Sequence, residues 1–215
     1  MKTAARVPVM GSRATPPREA PLPGFEHVGG FYEAMVGRWV IQLLPGEFYV
    51  TRADEIITTV LGSCVATCIR DSETGVSGMN HFMLPDDPLG GEGASARYGM
   101  FAMEQLVNGI LRWGGRRASL EIKVFGGGRV IPGMGDVGRS NADFVRAYLL
   151  AERMPVMVED LGQAVARRVR FDAHTGKVRV LHLPVTENNH VAERELALAS
   201  KIKSGATRGG DIELF

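Results

Sequence analysis

The sequence predicts an α/β (α+β) fold, a mixed β-sheet sandwich with helices packed on it, in a single domain. Short runs rich in β-branched and aromatic residues recur along the chain, each bounded by Gly, Pro or Ser. Between them lie two longer segments with apolar residues at helical spacing. A chain of 215 residues, 45% hydrophobic and 23% charged, also has the means to bury a real core.

In chain order, residues 1–23 are poor in large apolar residues and rich in Pro, Arg, Ala and Gly ("RATPPREAPLPG"). They are expected to form a disordered tail, because they bury too little to offset their ordering entropy. Aromatic and aliphatic residues return from Phe25, and the folded domain is expected over 24–195. "VIQLLPGEFYV" and "EIITTVL" read as strands. "VATCIRDSETGVSGMNHFML" reads as strand, turn and strand, with Ser72 to Gly75 turning. Met100, Met103, Leu106, Val107, Ile110 and Leu111 fall at helical spacing, with Gly114 and Gly115 as the stop. Leu120, Ile122 and Val124 alternate with Glu121 and Lys123 in a strand that runs into Gly126-Gly127-Gly128. "SNADFVRAYLLAER" opens on capping residues and reads as a second helix. "MPVMVED" is a further strand, and "RRVRFDAHTGKVRVLHL" a hairpin around His174-Thr175-Gly176. Residues 196–215 turn polar and glycine-rich, a C-terminal tail expected to be partly docked through Ile212, Leu214 and Phe215.

Composition excludes several classes of function. A net charge of +1 and a pI near 7.9 lack the basic footprint of a nucleic-acid binder. No apolar run approaches the roughly 18 residues that cross a bilayer. The N-terminus lacks the apolar core of a secretory signal. Two cysteines are too few for a disulfide-built secreted fold. The expectation is a soluble cytoplasmic protein, monomeric by default, that uses no cofactor or metal.

Those two cysteines fall in one stretch, "TTVLGSCVATCIRDSETGVSGMNHFMLP", with His81 near its end. If Ser72 to Gly75 form the turn, Asp71 faces Val76 across an antiparallel pair, and counting back sets Ala66 opposite His81. Cys64 shares Ala66's face, because strand side chains alternate. Cys64 and His81 are then diagonal neighbours about 7–8 Å apart, and a one-residue slip would part them. An imidazolium beside a thiol lowers its pKa and supplies a thiolate nucleophile, and the same ring can protonate a leaving amine. Gly62 and Ser63 allow a tight turn that would expose the sulfur and a backbone N–H for an oxyanion. The ordinary alternative stays open: a free cysteine among β-branched residues is commonly a small core hydrophobe. Cys68, with no nearby partner, reads as core. On an extended strand it lies roughly 13 Å from Cys64, too far for a disulfide. The pair without further Cys or spaced His is also a poor zinc motif.

The stretch resembles the signature of the chemoreceptor glutamine deamidases, the CheD family. The likeness continues through "PGEFYVT", "RYGMFAMEQLVNGIL", "KVFGGGRV", "VGRSNADFVRAYL", "EDLG" and "FDAHTGKVRV", in the family's order. It implies an α/β sandwich distantly similar to the bacterial toxin deamidases, and hydrolysis of particular glutamines of methyl-accepting chemotaxis receptors to glutamates. By the same resemblance Cys64 is the nucleophile, His81 the acid and base, and Thr58 the residue that orients the imidazole, with Thr59 next door. Receptor helices are the implied substrate and a CheC-type phosphatase an implied partner. An adaptor that binds such partners without chemistry, or another thiol enzyme such as a peptidase or acyl transferase, is the alternative. Two positions depart from the family pattern: Ser140 where arginine is common, and Gln163 where a second glycine is common.

The remaining features take ordinary readings. "FGGGRV" lacks the spacing of a phosphate loop and reads as a tight strand exit. Arg167, Arg168 and Arg170 read as a solvated face, with docking of acidic receptor helices the sharper alternative. His174 sits in a turn, His182 and His190 lack metal spacing, and Met100 and Met103 read as core.

Overall fold

The computed structural model describes residues 15–84, 91–130 and 137–203. Among them, ten strands form two mixed five-stranded sheets. In the first sheet, β1 (Gly30–Glu33), β2 (Arg38–Gln42), β4 (Glu55–Leu61), β9 (Arg167–Asp172) and β10 (Val178–His182) lie side by side in that order. β2 and β4 run parallel and the other pairs antiparallel. The second sheet is ordered β3 (Phe48–Thr51), β6 (Ser77–Asn80), β5 (Val65–Asp71), β7 (Leu120–Gly126) and β8 (Val156–Leu161), with β7 and β8 parallel. The expected α+β sandwich is therefore the observed architecture.

"VIQLLPGEFYV" is not one strand. Pro45 has no N–H for a ladder and Gly46 takes a left-handed φ of +89°, so the chain turns there and delivers β2 and β3 to different sheets. The hairpin from Asp71 to Val76 closes as counted, with Asp71 N–H donating to the Val76 carbonyl at 2.8 Å. Cys68 then pairs Met79, Arg70 pairs Ser77, and an isolated bridge joins Val65 to Phe82. Asp71 anchors the turn, accepting the N–H groups of Glu73 and Thr74 at 2.8 and 3.0 Å.

Two helices lie against the second sheet. α1 (Gly91–Arg112) sends Met103, Leu106, Val107 and Ile110 into the core and ends at Gly114, φ +93°. Met100, expected in the core, is instead 41% exposed, one step round the helix from the buried stripe. α2 (Val137–Ala151) buries Gly138, Asn141, Ala142, Val145 and Leu149, the i, i+3, i+4 stripe of a helix packed on one side. β4 and β5 are covered on both faces, which removes any polar alternation from their sequences.

A third helix, α3 (Asn188–Lys203), runs across the boundary expected at 195. Val191 and Ala192 pack with Val130, Ala166 and Leu183 in a small cluster of their own. Ile212, Leu214 and Phe215 lie outside the described residues, as do residues 1–14. Residues 15–23, expected to belong to a tail, lie against the domain. Arg18 pairs with buried Glu55 at 2.8 Å and donates to the Tyr49 hydroxyl and the Val28 carbonyl. The basic run of β9 is not a solvated face. Arg167 is fully buried and paired with Asp160 at 2.8 Å, and Arg170 pairs with Glu33 of β1, while Arg168 is exposed.

Candidate active site

Strand alternation places the site. Thr67 of β5 points at α1, its hydroxyl 3.3 Å from the Met103 sulfur, so Ala66 and Cys68 point the other way, toward the first sheet. Cys64 and His81 share that direction. The Cys64 sulfur, a ring nitrogen of His81 and a carboxylate oxygen of Glu195 all lie within 4.8 Å of one another, and all three residues are buried. The structure thus brings Cys64 and His81 together, as the register count permits. Cys68 is buried on the same face with no such neighbour, and burial pushes its thiol pKa upward.

His81 is gripped by the opposite sheet. The Thr59 hydroxyl donates to the Leu43 carbonyl at 2.9 Å, so it meets His81 Nδ1, 2.7 Å away, as an acceptor. That puts the ring proton on Nδ1 and leaves Nε2 with a free lone pair. Nε2 is buried and has no hydrogen-bond partner among the described residues. Thr58 does not contact the imidazole. It is on the other face of β4, where its hydroxyl donates to the Val169 carbonyl at 2.8 Å. Of the two threonines it is Thr59 that meets the imidazole, because a one-residue step on a strand reverses the side chain.

The loop before Cys64 is held by backbone. Gly127 N–H donates to the Cys64 carbonyl and Gly128 N–H to the Gly62 carbonyl, both at 2.7 Å. The three glycines after Phe125 are a strand exit, as read, and the last two clamp the loop that carries Cys64. Asn141 of α2 donates to the Ser63 carbonyl at 2.8 Å and accepts Leu84 N–H at 2.7 Å, tying that loop to the segment after His81. At the departure noted at Gln163, the backbone takes φ +67°, a conformation in which glycine is strain-free. Its carbonyl accepts Arg129 N–H at 2.7 Å. Around the pair the structure places Thr59, which the sequence offers only as the neighbour a one-residue shift would exchange for Thr58, and Asn141 and Glu195, which the sequence does not single out.

Glu195 is the largest surprise. Its carboxylate accepts the N–H groups of Gly62 (2.8 Å), Ser63 (2.8 Å) and Cys64 (3.1 Å) and the Ser63 hydroxyl (2.6 Å). A Cβ on Gly62 would come within 2.4 Å of Val130 Cγ2 and 2.9 Å of Glu195 Oε2, so glycine leaves the carboxylate its room. Sulfur, imidazole and carboxylate are a set zinc accepts. Here, however, the carboxylate oxygens are already engaged by four neutral donors, the chemistry of an anion seat rather than of a metal ligand.

Burial, then the adjacent Glu195 charge, push the Cys64 thiol well above its ordinary range. Burial lowers His81 to about 4, against a partial upward pull from Glu195. The pair is therefore a neutral thiol and a neutral imidazole in this state, not the exposed ion pair expected. A folded pKa near 4, below the ordinary 6.5 of an unfolded chain, means that the unfolded state binds more protons between the two. The contribution to stability is full above about 6.5 and is lost as pH falls toward 4. Urea titrations at pH 7 and pH 4.5 should show a lower midpoint at the acid value, and His81→Gln should lose most of that difference. Asp71 and Asp172 are both held near 2: burial opposes it, but backbone N–H groups and, for Asp172, Arg38 prevail. They act only below their ordinary 3.8, outside this window.

Fold and site together define an α+β protein with a sulfur–imidazole centre of the type used in thiol hydrolysis. The family model described as CheD chemotactic sensory transduction matches residues 83–182, a span that begins just after His81. Curated relatives extend the likeness over the site. Three of them are described as probable chemoreceptor glutamine deamidases CheD. One from Janthinobacterium sp. (strain Marseille) is 47% identical over 192 residues, 86% of this chain and 93% of its own length. One from Thiobacillus denitrificans is 49% identical over 179 residues, 81% and 88%. One from Hahella chejuensis is 40% identical over 212 residues, 96% and 100%. The chain belongs to the CheD family.

Proposed function

We propose that this chain hydrolyses the side-chain amide of particular glutamines on chemotaxis receptors, giving glutamate and ammonia. The juxtaposition of Cys64 with an imidazole whose Nε2 is free carries the reading, together with what its relatives are named for. His81 Nε2 takes the thiol proton, and the Cys64 sulfur attacks the amide carbon. The oxyanion forms beside the N–H groups of Gly62, Ser63 and Cys64, which already hold two oxygens of an anion. His81 returns its proton to the nitrogen, ammonia leaves and a thioester remains. Water then gives a proton to His81 and its oxygen to the acyl carbon. The thioester carbon–sulfur bond breaks with its electron pair going to sulfur, His81 gives its proton back to the Cys64 thiolate, and glutamate departs.

Thr59 keeps the imidazole in the tautomer this requires. Thr59→Val should lower kcat about 10- to 100-fold with KM little changed, whereas Thr58→Val should leave kcat near wild type. Deamidation kinetics on a receptor cytoplasmic fragment make the comparison, and equal losses would put the orienting role elsewhere.

We further propose action in the cytoplasm as a monomer, with a CheC-type phosphatase as a second partner. Among the described residues no helix is long and apolar enough to cross a membrane. Family resemblance supports the phosphatase as a partner. A second reading, an adaptor without chemistry, draws support from the burial of Cys64. Peptide mass spectrometry of a receptor fragment decides between them. New glutamates that need Cys64 establish the deamidase, and binding without conversion across several receptors establishes the adaptor.

A further inference from the structure

Glu195 is a buried carboxylate with neutral partners, and it lies beside the two reactive groups. Three consecutive backbone N–H groups and a hydroxyl hold it, an anion seat of the kind backbone nests make. A purely structural staple has no need to reach within 4.8 Å of both the Cys64 sulfur and His81. The helix that carries it is otherwise modestly held. Among the described residues its small apolar cluster takes Val191 and Ala192 from α3, and Asn188 at its start accepts Ala166 N–H at 3.1 Å and donates to the Ala164 carbonyl at 3.3 Å. Glu193, Arg194 and Leu196 around Glu195 are exposed. Few buried apolar contacts make an element cheap to open locally.

The chemistry of the side chain matters as much as its position. Glutamate is glutamine with an oxygen in place of the amide nitrogen, and it is the product of the reaction proposed above. Its carboxylate meets the donors that an amide oxygen would need at the moment of attack. Ser63 supplies both an N–H and a hydroxyl to the same oxygen, Oε2, at 2.8 and 2.6 Å.

We propose that α3 is a built-in product mimic: Glu195 fills the seat of the substrate glutamine, and the surface under α3 receives a helical substrate segment once α3 lifts away. The inference rests on the deamidase reading for the identity of the seat, but not for the blockade itself. The occupant is a helix presenting a glutamine, because the segment seated there is a helix presenting the isosteric acid. While α3 is docked, Cys64 is closed to solvent and remains a protonated thiol. A substrate helix therefore competes with α3, and apparent affinity is lowered by the fraction of molecules that are closed.

The test uses the full chain as wild type, Glu195→Ala and Glu195→Gln. Iodoacetamide should label Cys64 in Glu195→Ala on the order of tenfold faster than in wild type, with Cys68 unchanged. KM for a receptor fragment should fall in the same variant. Glu195→Gln keeps the shape of the helix and serves if the alanine variant unfolds, as labelling of Cys68 would reveal. The glutamine introduced by Glu195→Gln should turn into glutamate on standing, an exchange of NH for O visible in the peptide mass. It should persist when Cys64→Ala is added. Equal labelling of Cys64 in wild type and Glu195→Ala overturns the blockade. Survival of the introduced glutamine in protein that converts receptor glutamines overturns the product-mimic assignment. Its conversion with no receptor glutamine converted upholds the seat and removes the receptor reading instead.

Discussion

A receptor cytoplasmic fragment incubated with the Cys64→Ala variant is expected to keep all its glutamines, with turnover reduced by about three orders of magnitude or more. In the proposed reaction the sulfur is the atom that forms the covalent bond, and no other described thiol can replace it. Cys68 lies four residues further along the chain, within β5, and is buried. His81→Ala should lose activity to a similar extent, because members of one catalytic unit fail together rather than additively. Cys68→Ala should retain most activity, with at most a modest loss of stability from the small cavity. Peptide mass spectrometry gives all three results in one experiment. Equal loss in a folded Cys68→Ala would remove Cys64 from its role.

Gly126→Ala should be the most damaging single substitution away from the reacting groups. Gly126 takes φ +114°, and a Cβ there would sit well inside contact distance of the Cys64 carbonyl oxygen, a backbone atom that cannot step aside. The variant combines backbone strain with a clash, and a loss of about 3 kcal/mol or more is expected in urea unfolding. Gly75 provides the control. Its φ is +75°, and nothing lies within 4 Å of a Cβ built there, so Gly75→Ala should cost only about 1–2 kcal/mol. Similar losses at both positions would show that the contact with the Cys64 loop carries no special weight.

Much of this site was legible because one tight turn sets a long register. Four residues between Asp71 and Val76 fix the pairing of β5 with β6, and period-two alternation carries that information to Cys64 and His81. Neighbouring segments were opaque for equally physical reasons. β4 is covered on both faces, so "ITTV" offers no alternation to say which threonine points at the imidazole. The break at Pro45-Gly46 sits inside an otherwise continuous apolar run, and a shift between sheets leaves no mark in hydrophobicity. Glu195 was hidden most deeply. "NNHVAERELALASKIK" is a charged stretch with little apolar periodicity, and its one buried acid is 131 positions from the N–H of Cys64 that it accepts. Nothing local distinguishes that glutamate from the solvated Glu193 two residues earlier.

The protonated, enclosed state of Cys64 also bears on how long the protein lasts. Oxidation of a cysteine to sulfenic acid and beyond begins from the thiolate and requires contact with the oxidant. A nucleophile permanently ionised and open to water would be consumed by peroxide between encounters with its substrate. Here the ionised form is withheld by burial and by a neighbouring negative charge, and the sulfur is out of reach. The idle molecule thus stores its reactive group in a chemically inert form, and exposure to damage is confined to the intervals in which it is at work.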